Sequence, residues 1–254
     1  MKSKHWWKSV IAGFLIGACG LGQAAGATAS IGETGVIRPR EWDRAPVGSD
    51  NLASLQNGAR QYFQSCIGCH SAAYMRYGQL RKIGLDMEEI RSLLPPENPP
   101  QPDEAMQSAI TAQQGMEWFG AVPPDLTLMT RTRGSSKRSE TDFVYTYLRS
   151  FYRDPAARSG WNNAAAPNTT MPHVLFALQG DGETTPSLAG AGEQGRLSPA
   201  EYDKRVADIV HFMQWMAEPG RSARQRIGWF VCLFFAVFAI VAWRLHVSHW
   251  KDIQ

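Results

Sequence analysis

Cys66-Ile67-Gly68-Cys69-His70 is the stretch that decides how this chain is read. Two thiols three positions apart, followed at once by an imidazole, form the attachment pattern for a c-type haem. One helical turn brings both sulfurs to one edge of the macrocycle, where each adds across a vinyl group to give a thioether. The adjacent histidine is then placed to ligate the iron. A zinc site wants four ligands, usually from a second CxxC or a histidine pair, and the chain has no second CxxC. A thioredoxin-like dithiol wants a βαβ context, whereas the flanks carry helix and loop signals. The expectation is one covalent haem c, with Cys66 and Cys69 as attachment points and His70 as an axial ligand.

Upstream, residues 54–65 repeat apolar side chains at helical spacing, with Leu55, Ala59, Tyr62 and Phe63 on one face. Far downstream, Ser198-Pro199-Ala200-Glu201 is a capping box with proline at the first helical position. The helix that follows is expected to bury Tyr202, Val206, Ile209, Val210, Met213 and Met216, and to stop at Pro219-Gly220. A helix entering the haem motif and a second near the end of the domain predict a mostly α fold of class I cytochrome c type with long loops. Residues 95–102 are too rich in proline for helix and read as an extended loop. A shorter helix is expected from Glu140 to Tyr152, with Phe143, Val144, Tyr147, Leu148 and Phe151 apolar.

Charge is unevenly spread over the 254 residues. Residues 28–220 hold 18 Lys and Arg against 22 Asp and Glu, a net of −4, while the whole chain is at +3. The positive surplus lies at the two ends, which argues against a nucleic-acid partner and for a membrane tether. Residues 1–27 have a basic start, an apolar run to Cys19 and alanine cleavage sites, the pattern of a secretory signal peptide. Ile16-Gly17-Ala18-Cys19 is a rival lipoprotein box. Residues 28–220 are then an exported, periplasmic haem domain, and 221–254 an anchor with a short cytoplasmic tail. The span itself, 227–243, is uncharged, bounded by Arg226 and Arg244, with Trp229 and Trp243 suited to the interfaces. Its length of roughly 26 Å is adequate for a bilayer core. Of the four cysteines, Cys19 leaves with the signal, Cys232 lies in the span, and the other two hold haem, so no structural disulfide can form.

The sixth iron ligand sets the potential. Met75 is too close to His70 to cross to the opposite haem face. His211, Met213 and Met216 suit core packing, and Met87 and Met106 bracket a charged, proline-rich segment expected to be exposed. Met116 and Met129 remain. Met171 lies in Ala166-Pro167-Asn168-Thr169-Thr170-Met171-Pro172-His173-Val174, an irregular stretch bounded by prolines, and is the leading candidate, with His173 second.

Several segments together resemble the cytochrome c1 family, the haem c subunits of ubiquinol–cytochrome c reductase. They are Asn57 to Phe63 running into the haem motif, Gly120-Ala121-Val122-Pro123-Pro124-Asp125-Leu126-Thr127, Gly160-Trp161-Asn162-Asn163 ahead of the Met171 loop, and Ala217-Glu218-Pro219 before the apolar span. The resemblance implies Met171 as the sixth ligand, Pro123 and Pro124 lining the haem pocket, and Arg133 paired with a haem propionate. It implies cytochrome b and Rieske iron–sulfur partners in a dimeric complex of the bacterial inner membrane, and a cytochrome c acceptor. The chain would relay electrons within that enzyme and catalyse nothing alone. The alternative is an anchored monohaem cytochrome donating to a terminal oxidase or peroxidase. Residues 134–141 form a polar insertion without an assigned role, and the disulfide some bacterial members carry near the ligand loop is impossible here. Proline rigidity and packing are left to hold Met171. An acidic run from Asp86 to Glu104, with Asp103 and Glu104 at its end, suits docking of a cationic acceptor.

Overall fold

In the computed structural model, residues 42–46, 51–96, 99–132, 139–180 and 195–251 are described. The signal peptide, Arg133 and most of the 134–141 insertion lie outside them. Helix α1 (Leu52–Ser65) enters the haem motif, its N-terminus capped by Asn51, whose side chain accepts from Ser54 N. Strand β1 (Ala72–Arg76), a 3-10 helix (Tyr77–Ile83), α2 (Met87–Ser92), β2 (Ala105–Met106) and α3 (Ala112–Phe119) follow. Then come α4 (Met129–Thr132), α5 (Glu140–Arg149), β3 (Phe151–Arg153), β4 (Trp161–Asn163), α6 (Phe176–Gln179), α7 (Pro199–Ala217) and α8 (Arg221–His249). The domain is mostly helical, as expected, with two small antiparallel pairs, β1–β2 and β3–β4.

The core lies where α1 meets α7. Leu55, Ala59, Tyr62 and Phe63 on one side, and Tyr202, Val206, Ile209, Val210, Phe212, Met213 and Met216 on the other, are all buried. Each buried Leu, Ile, Val, Phe or Met among them contributes about 1.5–3 kcal/mol through the apolar surface it removes from water. The close approach depends on Gly58, because a Cβ there would sit 2.0 Å from the Asp208 carbonyl oxygen and 2.9 Å from Phe212 Cβ. The capping box of α7 forms as read, Ser198 accepting from Glu201 N while the Glu201 side chain turns back to Ser198.

The proline-rich segment is largely exposed, as expected, while the two methionines that bracket it, Met87 and Met106, are 7% and 0% exposed and lie in the core with Leu80, Ile83 and Ile90. One expectation is corrected. The helix starting at Glu140 ends at Arg149 instead of Tyr152. Ser150 donates to the Thr146 carbonyl at 2.6 Å and to Asn163 at 3.2 Å, and Phe151–Arg153 then pairs in register with Trp161–Asn163. Pro219-Gly220 stops α7 as read: the helix ends at Ala217, and Gly220 then caps the start of α8.

Helix α8 is longer than its apolar stretch, extending over the flanking arginines at both ends. None of its apolar window is buried within the chain, and Trp229, Phe234, Phe238 and Trp243 stand exposed. A 29-residue helix reaches about 43 Å, enough to cross a bilayer with its headgroups.

Candidate haem-attachment site

The attachment turn is the C-terminal continuation of α1. Cys66 N donates to the Tyr62 carbonyl at 2.8 Å, and Cys69 N and His70 N both donate to the Cys66 carbonyl, at 3.1 and 2.9 Å. One turn therefore presents both thiols and the imidazole, and neither cysteine is in a disulfide. Tyr62, fully buried, donates its hydroxyl to the His70 carbonyl at 3.4 Å. Burial, with Cys69 alongside, pushes the Cys66 thiol up to about 12, and burial raises Cys69 as well. A redox dithiol needs a depressed thiol, so these two are unsuited to dithiol exchange. Among the described residues, no three His, Cys, Asp or Glu side chains gather as a metal-ion cluster.

His70 Nδ1 lies 2.8 Å from the Pro124 carbonyl oxygen. A carbonyl can only accept, so Nδ1 carries the proton and the lone pair is left on Nε2. Burial lowers the affinity of the ring for a second proton, opposed by the Pro124 bond and the nearby Asp125. A neutral imidazole with one nitrogen tied to a backbone carbonyl is the form that ligates a metal.

The segment around Pro124 is held in turn by Asp125. Its two carboxylate oxygens accept from Ala73 N at 2.7 Å and Thr127 N at 2.8 Å, and Leu126 N donates to the Ser71 carbonyl at 2.8 Å. Pro123 abuts α3, where a Cβ on Gly115 would come within 2.6 Å of its Cδ. Both prolines thus stand beside the attachment turn. Arg131, the neighbour of Arg133 in sequence, is exposed and pairs with Glu218 at 3.5 Å.

Met171 is half-buried and packs against the core cluster from an irregular loop. His173 is 6% exposed within an aromatic cluster, its ring stacked on Phe151 at 4.8 Å and edge-on to Trp161 at 5.0 Å. Met75, Met87, Met106, Met213 and Met216 belong to the core, and Met116 is 54% exposed. His211 is buried between α1 and α7, its Nδ1 3.1 Å from Ser54 Oγ.

Asn162 and Asn163, part of a segment quoted from the sequence without a role, acquire one here. Asn162 Oδ1 accepts from Asn168 N at 2.8 Å, and Asn163 Oδ1 accepts from Ala165 N at 2.9 Å and Ala166 N at 3.2 Å. Side-chain amides therefore hold the loop that leads to Met171, in addition to its prolines. Consecutive asparagines at a strand end before an irregular segment are a recognisable signal for such side-chain-to-backbone capture.

The donor set fits a covalently attached haem: paired thiols on one turn, and a neutral histidine oriented by a carbonyl. Comparison with known proteins agrees. A family model described as Cytochrome C1 family matches residues 42–253. A cytochrome c1 from Allochromatium vinosum is 42% identical over 215 residues, spanning 80% of this chain and 85% of that protein. A protein named ammonia monooxygenase gamma subunit, from Nitrosomonas europaea, is 36% identical over 214 residues, 84% of this chain and 88% of its own length. A solved chain titled Hyperthermophilic respiratory Complex III overlays at a TM-score of 0.42 and 19% identity, covering 91% of this chain and 89% of that one, a likeness too loose to locate residues. With its attachment turn, oriented histidine and apolar final helix, the chain belongs to the cytochrome c1 family, membrane-anchored electron-transfer proteins that carry one covalent haem c.

Proposed function

We propose that the chain takes single electrons from a Rieske iron–sulfur protein and passes them to a cytochrome c acceptor, inside a dimeric quinol–cytochrome c reductase containing cytochrome b. The observation that carries this is the 2.8 Å bond from His70 Nδ1 to the Pro124 carbonyl at the end of the CxxCH turn. Bound haem c supplies one-electron redox chemistry at its iron. The chain's own residues fix its place and its energy. Cys66 and Cys69 would attach it, and His70 Nε2 and the Met171 thioether would ligate its iron. Pro123 and Pro124 would line its pocket, and Arg133 would pair with a propionate. A Met/His pair raises the potential, as a late electron carrier needs. Commitment of His173 to its aromatic cluster supports Met171 as the second ligand.

Residues 28–220 face the periplasm and the tail beyond 243 faces the cytoplasm, because residues 1–27 have the pattern of an export signal. Asp103 and Glu104 are exposed and sited to attract a cationic acceptor. Neutralising both is expected to slow acceptor reduction at low ionic strength and to have little effect at high salt. Equal rates across a salt series would remove the patch.

Gentle detergent extraction from the native membrane tests the whole reading. This haem c is expected to co-purify with two b haems and a [2Fe–2S] protein. Isolation without them favours an anchored cytochrome that donates to a terminal oxidase or peroxidase. Met171→Leu is expected to abolish the low-spin Met/His spectrum, and its survival would move the ligand elsewhere.

A further inference from the structure

The loop that carries Met171 makes its turns against side chains instead of in regular structure. Asn163, fully buried, accepts from two successive loop amides while its Nδ2 donates to the Tyr147 carbonyl at 2.7 Å. Asn162, 9% exposed, accepts from Asn168 N and from Asn163 N, both at 2.8 Å, and its Nδ2 donates to Asp154 Oδ2 at 2.8 Å. Asn168 has φ of +65°, the left-handed region that is strained for an L-residue and that asparagine tolerates better than most. Such a conformation persists only where its surroundings over-determine it. One residue further on, Thr169 Oγ1 lies 2.7 Å from the Tyr147 hydroxyl. The backbone is thus tied down at 165, 166 and 168 and by the side chain of 169, just before Met171.

We infer that Asn162 and Asn163, with Tyr147, are positioning residues for the sixth iron ligand: an amide clamp that holds the Met171 sulfur in place where no disulfide can. The inference rests on Met171 being that ligand. A thioether is a weak, neutral donor on a flexible side chain, so its occupancy of the iron depends on how narrowly the backbone confines it. Asn163 is deep in the β3–β4 and α5 junction and serves the fold as well. Asn162 reaches outward to Asp154 and bears on the loop more selectively, which makes it the better probe.

The test uses the holoprotein in its complex, with carbon monoxide binding to the reduced haem, the methionine-to-iron charge-transfer band and the midpoint potential as readouts. Asn162→Ala is expected to raise carbon monoxide binding about tenfold, the effect of losing one buried hydrogen bond, and to weaken the band and lower the potential. Asn162→Asp is expected to do the same, because its second oxygen meets the Asp154 carboxylate. The double variant Asn162→Asp/Asp154→Asn restores a donor opposite that oxygen and is expected to recover the wild-type readouts, which a loss of general stability would not predict. Tyr147→Phe removes only the hydroxyl held to Thr169 and decides the matter should Asn162→Ala fail to accumulate. Unchanged carbon monoxide binding and potential in the variants that accumulate overturn the clamp. Met171→Leu separates the two claims: if it keeps the band, the ligand assignment fails, whereas if it loses the band and Asn162→Ala keeps it, the clamp alone fails.

Discussion

The two sides of the candidate haem site are built on different principles. The attachment side is a helix end. Its three candidate residues sit on the turn that continues α1, its backbone follows helical bonds, and distant support comes from the Pro124 to Leu126 segment. The Met171 side is irregular backbone shaped by side-chain amides and a tyrosine hydroxyl from β4 and α5. One side draws its rigidity from core packing and the other from a few polar contacts. Stability should therefore reside on the first side, and tuning of the iron on the second.

The largest effect expected falls on the packed side. Gly58→Ala places a methyl group 2.0 Å from the Asp208 carbonyl oxygen, a backbone atom that cannot swing away. Helices α1 and α7 must separate, at a cost of about 3 kcal/mol, the upper range for overpacking. In a domain of this size that lowers the melting temperature by roughly 6–12 °C. Thermal denaturation of the holoprotein measures it. A melting temperature within a degree of wild type would show that the crossing is not what supports the attachment turn.

The same contrast explains what could be read from the sequence. The attachment side was legible because its geometry is local: spacing alone places Cys66, Cys69 and His70 on one turn, and the apolar period of α1 and the Ser198 capping box mark the two helices behind it. The partner of His70 was not legible, since nothing in its neighbourhood names a carbonyl 54 positions away. The burial of Met87 and Met106 was not legible, because proline content describes the exposed loop between them and not the fold on either side. The end of α5 was misplaced because Phe151 continues the apolar period while its backbone pairs with Asn163. Asn162 and Asn163 stood in plain view as residue types, but the loop amides they capture are fixed only by the fold.

A middle-sized effect probes whether the two sides act independently. Asp125→Ala leaves the amides of Ala73 and Thr127 without their carboxylate, and Thr127 is 2% exposed. The loss is expected to be about 2 kcal/mol, with some slackening of the Pro124 carbonyl against His70. Asp125→Asn, which keeps one accepting oxygen, should recover part of it. The low-spin spectrum is expected to persist and carbon monoxide to remain excluded, since Met171 is held from elsewhere. Carbon monoxide binding as strong as in Asn162→Ala would mean that strain on one side passes to the other.

The smallest effect concerns acid. Asp154 is held below the usual carboxylate range by the Asn162 side-chain donor first and the Ala156 amide second, and its charge in turn adds to burial in raising the Tyr152 hydroxyl. A native value depressed below the ordinary ~3.9 means that the stabilisation is complete above that pH and is lost as pH falls through the depressed value. Acidification below about pH 4 should therefore loosen the Asn162 contact first. It should bring a several-fold rise in carbon monoxide binding while the attachment side, held by the packing of α1 against α7, stays folded. Asp154→Asn removes the titrating group, so its carbon monoxide binding is expected to be flat over the same pH range. A wild-type acid transition that loosens both sides at one pH, or that survives Asp154→Asn unchanged, would break the division between a packed side and a polar one.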